Sequence, residues 1–156
     1  MNILTVNLVL STFVFWVAAR IYVLPNLARW SPQSVLLPIL LLHSLRHLGL
    51  MFLAPGATYP GIPEQFAYPA ALGDLLAATL AMTAILTGTP RALVWIFNVV
   101  GTVDLLAAIT LATLYGASQF MGPAYWIPAF WVPALLVTHY LVFVILRRER
   151  IAAWTS

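Results

Sequence analysis

The chain of 156 residues contains no cysteine and no lysine, and only four acidic residues. Without cysteine there can be no disulfide framework, no thiolate nucleophile and no thiolate metal site. Without lysine there can be no Schiff base and no amine catalysis. Charge of either sign is scarce, at 7% of residues, whereas 63% are hydrophobic. A soluble domain carries about 25% charged residues, so this chain cannot cover a water-facing surface. Disorder is excluded by the same numbers, because it requires low hydrophobicity and high net charge. Phosphate-cradling P-loops, GxGxxG turns and GxSxG nucleophile elbows are all missing.

What is present is a series of long apolar runs. A spanning helix needs about 20 mostly apolar residues, and five segments qualify: 2–24, 34–54, 69–87, 92–115 and 125–147. Breakers fill the gaps: Pro25, Asn26, Ser31 and Pro32; Pro55, Gly56, Pro60, Gly61 and Pro63; Gly88-Thr89-Pro90-Arg91; and Gly116, Gly122 and Pro123. Pro38, Pro128 and Pro133 lie within spans near their starts, where each is expected to bend the helix and free a carbonyl. The first run lacks a basic n-region and is longer than a signal peptide's apolar core, so it is expected to be a retained helix. The expected fold is therefore all-α, an integral membrane bundle of five transmembrane helices forming one domain over residues 1–156.

The arginines orient this bundle. Arg20 and Arg29 flank the first connection, Arg91 sits in the third, and Arg147, Arg148 and Arg150 follow the last run; the second carries Glu64 and no base. The positive-inside rule then puts the N-terminus outside and the C-terminus in the cytoplasm. Tyr59, Phe66, Tyr68, Tyr115, Phe120, Tyr125 and Trp126 form the expected outer aromatic belt, and Trp30, Trp95 and Trp154 the inner one. The net charge of +3 reflects these end-placed arginines, so nucleic acid is not an expected partner. The bilayer is, in a cell membrane of the bacterial inner-membrane type, with a second copy or a partner membrane subunit as further candidates.

Three charges fall inside the apolar runs: Arg46, Asp74 and Asp104. A charge at the bilayer centre costs about 2.5–3.5 kcal/mol on insertion scales, so each should face the bundle and find partners. Reckoned by helical rise, His43, Arg46 and His47 in the second run, Asp74 in the third, Asp104 in the fourth and His139 in the fifth reach one level in the middle to outer membrane. Asn7 and Ser11 of the first run lie in its outer half. Asn98 lies deeper, toward the inner side. Gly73, Gly101 and the alanines around Asp74 permit close helix approach. One arginine and two aspartates leave the cluster at −1 with neutral histidines. A protonated histidine, a protonated aspartate or a bound cation would balance it.

Several chemistries fit these residue types. Asp74 or Asp104 can serve as a general acid, His47 or His139 as a base, and Arg46 as a stabiliser of negative charge. His43 and His47 stand at i,i+4 and, with Asp74, make a two-histidine, one-carboxylate metal set. His43 and His139 on different helices can clamp a haem. A structural ion pair between Arg46 and one aspartate is the plainest alternative. The segment 55–67 reads either as an interfacial loop or as a lid over the outer mouth of the cluster. The paired strings Asp74-Leu-Leu-Ala-Ala and Asp104-Leu-Leu-Ala-Ala read as coincidence in so Leu- and Ala-rich a chain.

The stretch Leu45-Arg46-His47-Leu48-Gly49-Leu50-Met51-Phe52-Leu53-Ala54-Pro55-Gly56 resembles the Leu-Arg, Leu-Gly, Phe-Leu and Gly signature of DoxX-like small membrane proteins. Pro63, Phe66, Asp74 and the Thr89-Pro90-Arg91 turn fit the same pattern, which covers residues 40–110. That family typically has four helices rather than five. The resemblance implies a redox accessory role with a quinone-linked partner, and it identifies no catalytic residue. From the residues themselves, the expected function is binding of, or acid–base or redox-linked action on, a small lipophilic molecule. Alternatives are a proton or cation transporter or channel subunit, and a metal- or haem-binding membrane subunit.

Overall fold

The computed structural model of the chain describes residues 2–148, and among these it contains only helices and turns. Arg150 and Trp154, assigned above to the inner end, lie outside the described residues. Five α-helices form the frame: α1 (Ile3–Ala18), α2 (Pro32–Ser44), α3 (Glu64–Leu86), α4 (Arg91–Leu114) and α5 (Val132–Arg148). With their irregular extensions, five helical segments are long and apolar enough to cross a membrane.

Local chemistry sets the boundaries. The Asn2 side chain accepts from the Leu4 N–H and starts α1. Ser31 does the same for α2, with Pro32 at the first helical position, where its missing N–H costs nothing. The α3–α4 turn is a Schellman ending: Gly88 N–H reaches Ile85 O and Thr89 N–H reaches Ala84 O, with Gly88 at φ +80°. Threonines on the apolar flanks return their hydroxyls to the carbonyl four residues back, as Thr79, Thr83, Thr102 and Thr110 do, so they present no orphaned donor.

Three spans depart from simple α-helices. The first passes from α1 into a π-helical turn, Ala19–Val23, and a 3₁₀ turn, Leu24–Asn26. The fifth enters through a 3₁₀ turn at Gly122–Tyr125 and a π-helical turn at Ile127–Trp131, where Pro128 withholds a donor and the ladder is re-spaced. The second span matters most. Its α-helix stops at Ser44, and Leu45–Leu53 continues as a 3₁₀ helix. The third span also begins at Glu64, ahead of the expected 69, with Pro69 accommodated inside the helix.

Helices α2 to α5 surround the buried interior, and α1 lies against α5 at the side, with only 6% of its apolar window buried. The interior is divided along its length. At the end carrying Arg91 and Arg147, Leu36, Leu40, Ala81, Ala84, Val94, Phe97, Val142 and Leu146 form one apolar block. At the other end, Leu4, Phe52, Phe66, Ala70, Met121, Ala124 and Ile127 form a second. The buried polar side chains His43, Arg46, Asp74, Asn98 and His139 separate them.

The 3₁₀ winding determines which side chains of the second span turn inward. At three residues per turn, His43, Arg46, Gly49 and Phe52 fall on one line, and all four are buried. Gly49 sits so close to α3 that a Cβ there would overlap the Asp74 side chain. We expect Gly49→Ala to lower stability by about 1–3 kcal/mol through overpacking, read as the thermal unfolding midpoint in detergent. Leu50→Ala, on the outward line, should cost less.

Candidate functional site

Arg46 is 1% exposed although it is the longest side chain in the interior. Guanidinium offers five N–H donors and accepts nothing, so a buried arginine must be met by acceptors from several directions. Its Nε donates to Asp74 Oδ1 of α3 at 2.7 Å, and Nη2 donates to Asp104 Oδ2 of α4 at 2.5 Å. Nη1 donates to the Gly101 carbonyl and to His139 Nε2, both at 3.2 Å. The two carboxylates and the arginine form one ionic unit held by three elements.

His139 is oriented by the helix opposite. Asn98 Nδ2 donates to the His139 backbone carbonyl at 3.3 Å, which turns Asn98 Oδ1 toward the ring as an acceptor. His139 Nδ1 lies 2.7 Å from that oxygen and therefore carries the proton. Nε2 is left with a lone pair, which receives the Arg46 donor. The imidazole is thus a neutral relay between an amide and a guanidinium, with both nitrogens engaged. His43 packs beside it, with ring centroids 4.3 Å apart and the planes tilted by 56°, and Phe97 lies edge-on to His43 at 5.0 Å. The Thr138 hydroxyl donates to Ala134 O, so His43 Nε2 donates to Thr138 Oγ1 at 2.9 Å. His43 Nδ1 is buried and has no partner among the described residues.

The expected site residues divide accordingly. Arg46, Asp74, Asp104 and His139 come together. His47 does not: it lies one residue off the inward 3₁₀ line, is exposed, and holds the Ser44 carbonyl through Nδ1 at 3.0 Å. The proposed base and the i,i+4 metal pair with His43 both presumed continuous α-helix, and the change of winding at Leu45 removes that geometry. Among the described residues no three His, Asp or Glu side chains converge as a metal set. The rings of His43 and His139 stand 4.3 Å apart in this structure, an arrangement with no room for a macrocycle between them. His139, expected as a base, has its Nε2 lone pair engaged by Arg46 in this structure. Asn7 belongs to the periphery, where Nδ2 donates to Tyr125 Oη at 3.2 Å, so α1 contributes nothing to the ionic unit. Asn98, Gly101 and Thr138 were not expected at the site. The i,i+3 spacing of Asn98, Gly101 and Asp104 along α4 was the available signal.

A cavity of about 360 Å³ adjoins this unit on the side away from the arginine-rich end. Leu4 and Leu8 of α1, Phe66 and Ala70 of α3, Ala108 and Ala112 of α4, and Pro128 and Val132 of the fifth span contribute to its wall, and Asp74 is its single ionisable lining residue. Asp74 thus faces two ways, with one oxygen on Arg46 and the side chain bordering an apolar space. Of the segment 55–67, Phe66 in the first turn of α3 lines this cavity; the loop ahead of α3 does not. It is tied instead to the fourth connection, Tyr59 N–H donating to Phe120 O at 2.9 Å and Ala124 N–H to Ala57 O at 2.8 Å. A lid over the cluster is therefore not its arrangement in this structure.

The family model described as a domain of unknown function, DUF8737, matches residues 3–147. The chain belongs to this family. No curated protein and no solved structure matches it. The matched stretch contains every residue of the ionic unit.

Removing Arg46 while keeping both carboxylates strands buried charge, at a cost of about 3–5 kcal/mol. We expect Arg46→Leu to lose that much stability, and Arg46→Leu combined with Asp74→Asn and Asp104→Asn to recover a large part of it, measured by denaturant unfolding in detergent. Nitrogen-15 NMR of histidine-labelled protein at neutral pH should show His139 protonated at Nδ1 and bare at Nε2. Asn98→Leu should abolish that preference.

Proposed function

We propose that this chain is a multi-pass membrane protein that binds a small lipophilic molecule in the cavity ending on Asp74. Membrane residence is supported by the exterior. Val9, Leu10, Phe13 and Val14 of α1, Leu72 and Leu76 of α3, and Ile96, Val103 and Leu106 of α4 are all exposed. An apolar exterior of that extent has no stable place in water. Under the positive-inside rule the cavity lies in the outer half of the bilayer, reached from the side where the N-terminus stands.

The observation that carries the reading is the position of Asp74. A ligand site is typically an apolar cavity of about 300–1,000 Å³ with a few fixed polar groups, and this cavity meets that description with one carboxylate at its edge. Arg46 holds the carboxylate in place from behind and is itself sealed from the cavity, as are His139 and His43. Any acid–base or quinone-linked step on the bound molecule would therefore fall to Asp74. A relay across the whole bundle finds less support, since Leu36, Leu40, Phe97 and Val142 close the interior between the ionic unit and the arginine-rich end.

Photolabelling with a diazirine-bearing 1-octanol tests the cavity. Labelling should be saturable, competed by 1-octanol, concentrated on Ile109, Ala112 and Pro128, and lost in Ala108→Trp. Unsaturable labelling spread over lipid-facing positions such as Phe13 and Val103 would refute the reading.

A further inference from the structure

The ionic unit holds a charge that no group in the bundle balances. Arg46 supplies +1, and Asp74 and Asp104 supply −2. The hydrogen bonds dispose of the histidines as counter-charges. His139 has its one proton on Nδ1 and its Nε2 lone pair occupied by the Arg46 donor, so a second proton there would set two donors against each other. A second proton on His43 would sit on Nδ1, a buried atom with no acceptor among the described residues. His47 is exposed and outside the cluster. Among the described residues, the remaining arginines stand at the far end, beyond the apolar block of Leu36, Leu40, Phe97 and Val142.

With the histidines set aside, a proton on an aspartate or a cation arriving from the cavity can balance the unit, and Asp74 is where the cavity meets it. Asp74 is 8% exposed, and its Oδ1 is committed to Arg46 Nε. Its Oδ2 takes no hydrogen bond among the described residues and lies against Gly49, while the side chain as a whole borders the apolar cavity. Asp104 also commits one oxygen to Arg46, but it does not line the cavity. An apolar space with a single partly satisfied carboxylate at its edge is complementary to a molecule that is hydrocarbon over most of its length and cationic at one end.

We propose that the cavity selects a lipophilic amine, whose ammonium group seats on Asp74 and brings the buried unit to neutrality. This rests on the reading of the cavity as a ligand site and specifies its occupant. A primary ammonium has three donors; one meets the Asp74 carboxylate, and the chain fills the space between α1, α4 and the fifth span. An anionic amphiphile of the same length meets an uncompensated carboxylate and is rejected. A neutral alcohol gains the apolar contact without the charge.

The test compares octylamine, 1-octanol and octanoate at pH 7 as competitors of the diazirine-octanol label, with concentrations corrected for micelle partition. Octylamine should compete about tenfold or more better than 1-octanol, as close charge pairs away from water allow, with octanoate the weakest. Asp74→Asn should bring octylamine down to the level of 1-octanol while leaving 1-octanol unchanged. The ranking in the unaltered protein decides the matter even where that variant fails to fold. Competition by 1-octanol equal to or better than octylamine overturns the charge selection and leaves the cavity reading standing, with the extra charge then neutralised by a proton on an aspartate. Label that no octyl compound displaces overturns both.

Discussion

A guanidinium placed among helices of this apolar character must find acceptors for its donors within the protein, because neither lipid nor the packed interior supplies any. Arg46 is that group, and much of the bundle's geometry follows from it. Its acceptors are two carboxylates, a backbone carbonyl and an imidazole, drawn from α3, α4 and α5. No two helices could provide all of these at once. The arginine therefore fixes how three helices stand relative to the 3₁₀ stretch that carries it, which hydrophobic packing alone, without direction, would leave adjustable.

The same demand explains where the glycines are. Gly49 lies against the Asp74 side chain, Gly73 against Asp104, and Gly101 against both Arg46 and His139. At Gly101 a Cβ would stand 2.8 Å from Arg46 Nη1 and 2.6 Å from a carbon of the His139 ring. Each glycine gives a polar partner room to approach at hydrogen-bond distance. The two Asp-Leu-Leu-Ala-Ala strings also take on a role that composition alone did not suggest, since they present one carboxylate each from adjacent helices to different nitrogens of the same guanidinium.

The number of spans, their approximate limits and the gathering of Arg46, Asp74, Asp104 and His139 were legible, because apolar run length and the cost of buried charge are properties of composition and spacing. The 3₁₀ winding from Leu45 to Leu53 was not. Nothing in Leu-Arg-His-Leu-Gly-Leu-Met-Phe-Leu forbids an α-helix; tertiary contact with α3 selects the tighter form, which puts His47 outside and Gly49 and Phe52 inside. Asn98 was misjudged for a related reason. It stands six residues from Asp104, about 9 Å along the axis, and a reckoning by depth separated them. The Arg46 side chain and the His139 ring bridge that distance in three hydrogen bonds. The cavity was illegible in principle, because it depends on how α1 lies against the other helices, and α1 carries no polar group that reaches the ionic unit.

The division of the interior gives the ionic unit two unlike neighbours. Toward the arginine-rich end, Phe97 packs against both His43 and His139, and Leu36, Leu40 and Val142 are fully buried beyond it. Water or an ion approaching from that side would have to displace close-packed side chains, a change as costly as opening a cavity in any core. Toward the other end the walls are small or flexible: Ala70, Ala108, Ala112, Leu4 and Leu8 leave space beside Asp74. The second side is bounded by α1, the helix with the least buried surface in the bundle. A helix held mainly by α5 and the fifth span's entry can shift at lower cost than one sharing the arginine's hydrogen bonds. Movement of α1 would change access to Asp74 without disturbing a single bond of the Arg46 unit. The ionic centre and the α1 wall are thus separate parts of one architecture, the first held by directed hydrogen bonds and the second by apolar contact.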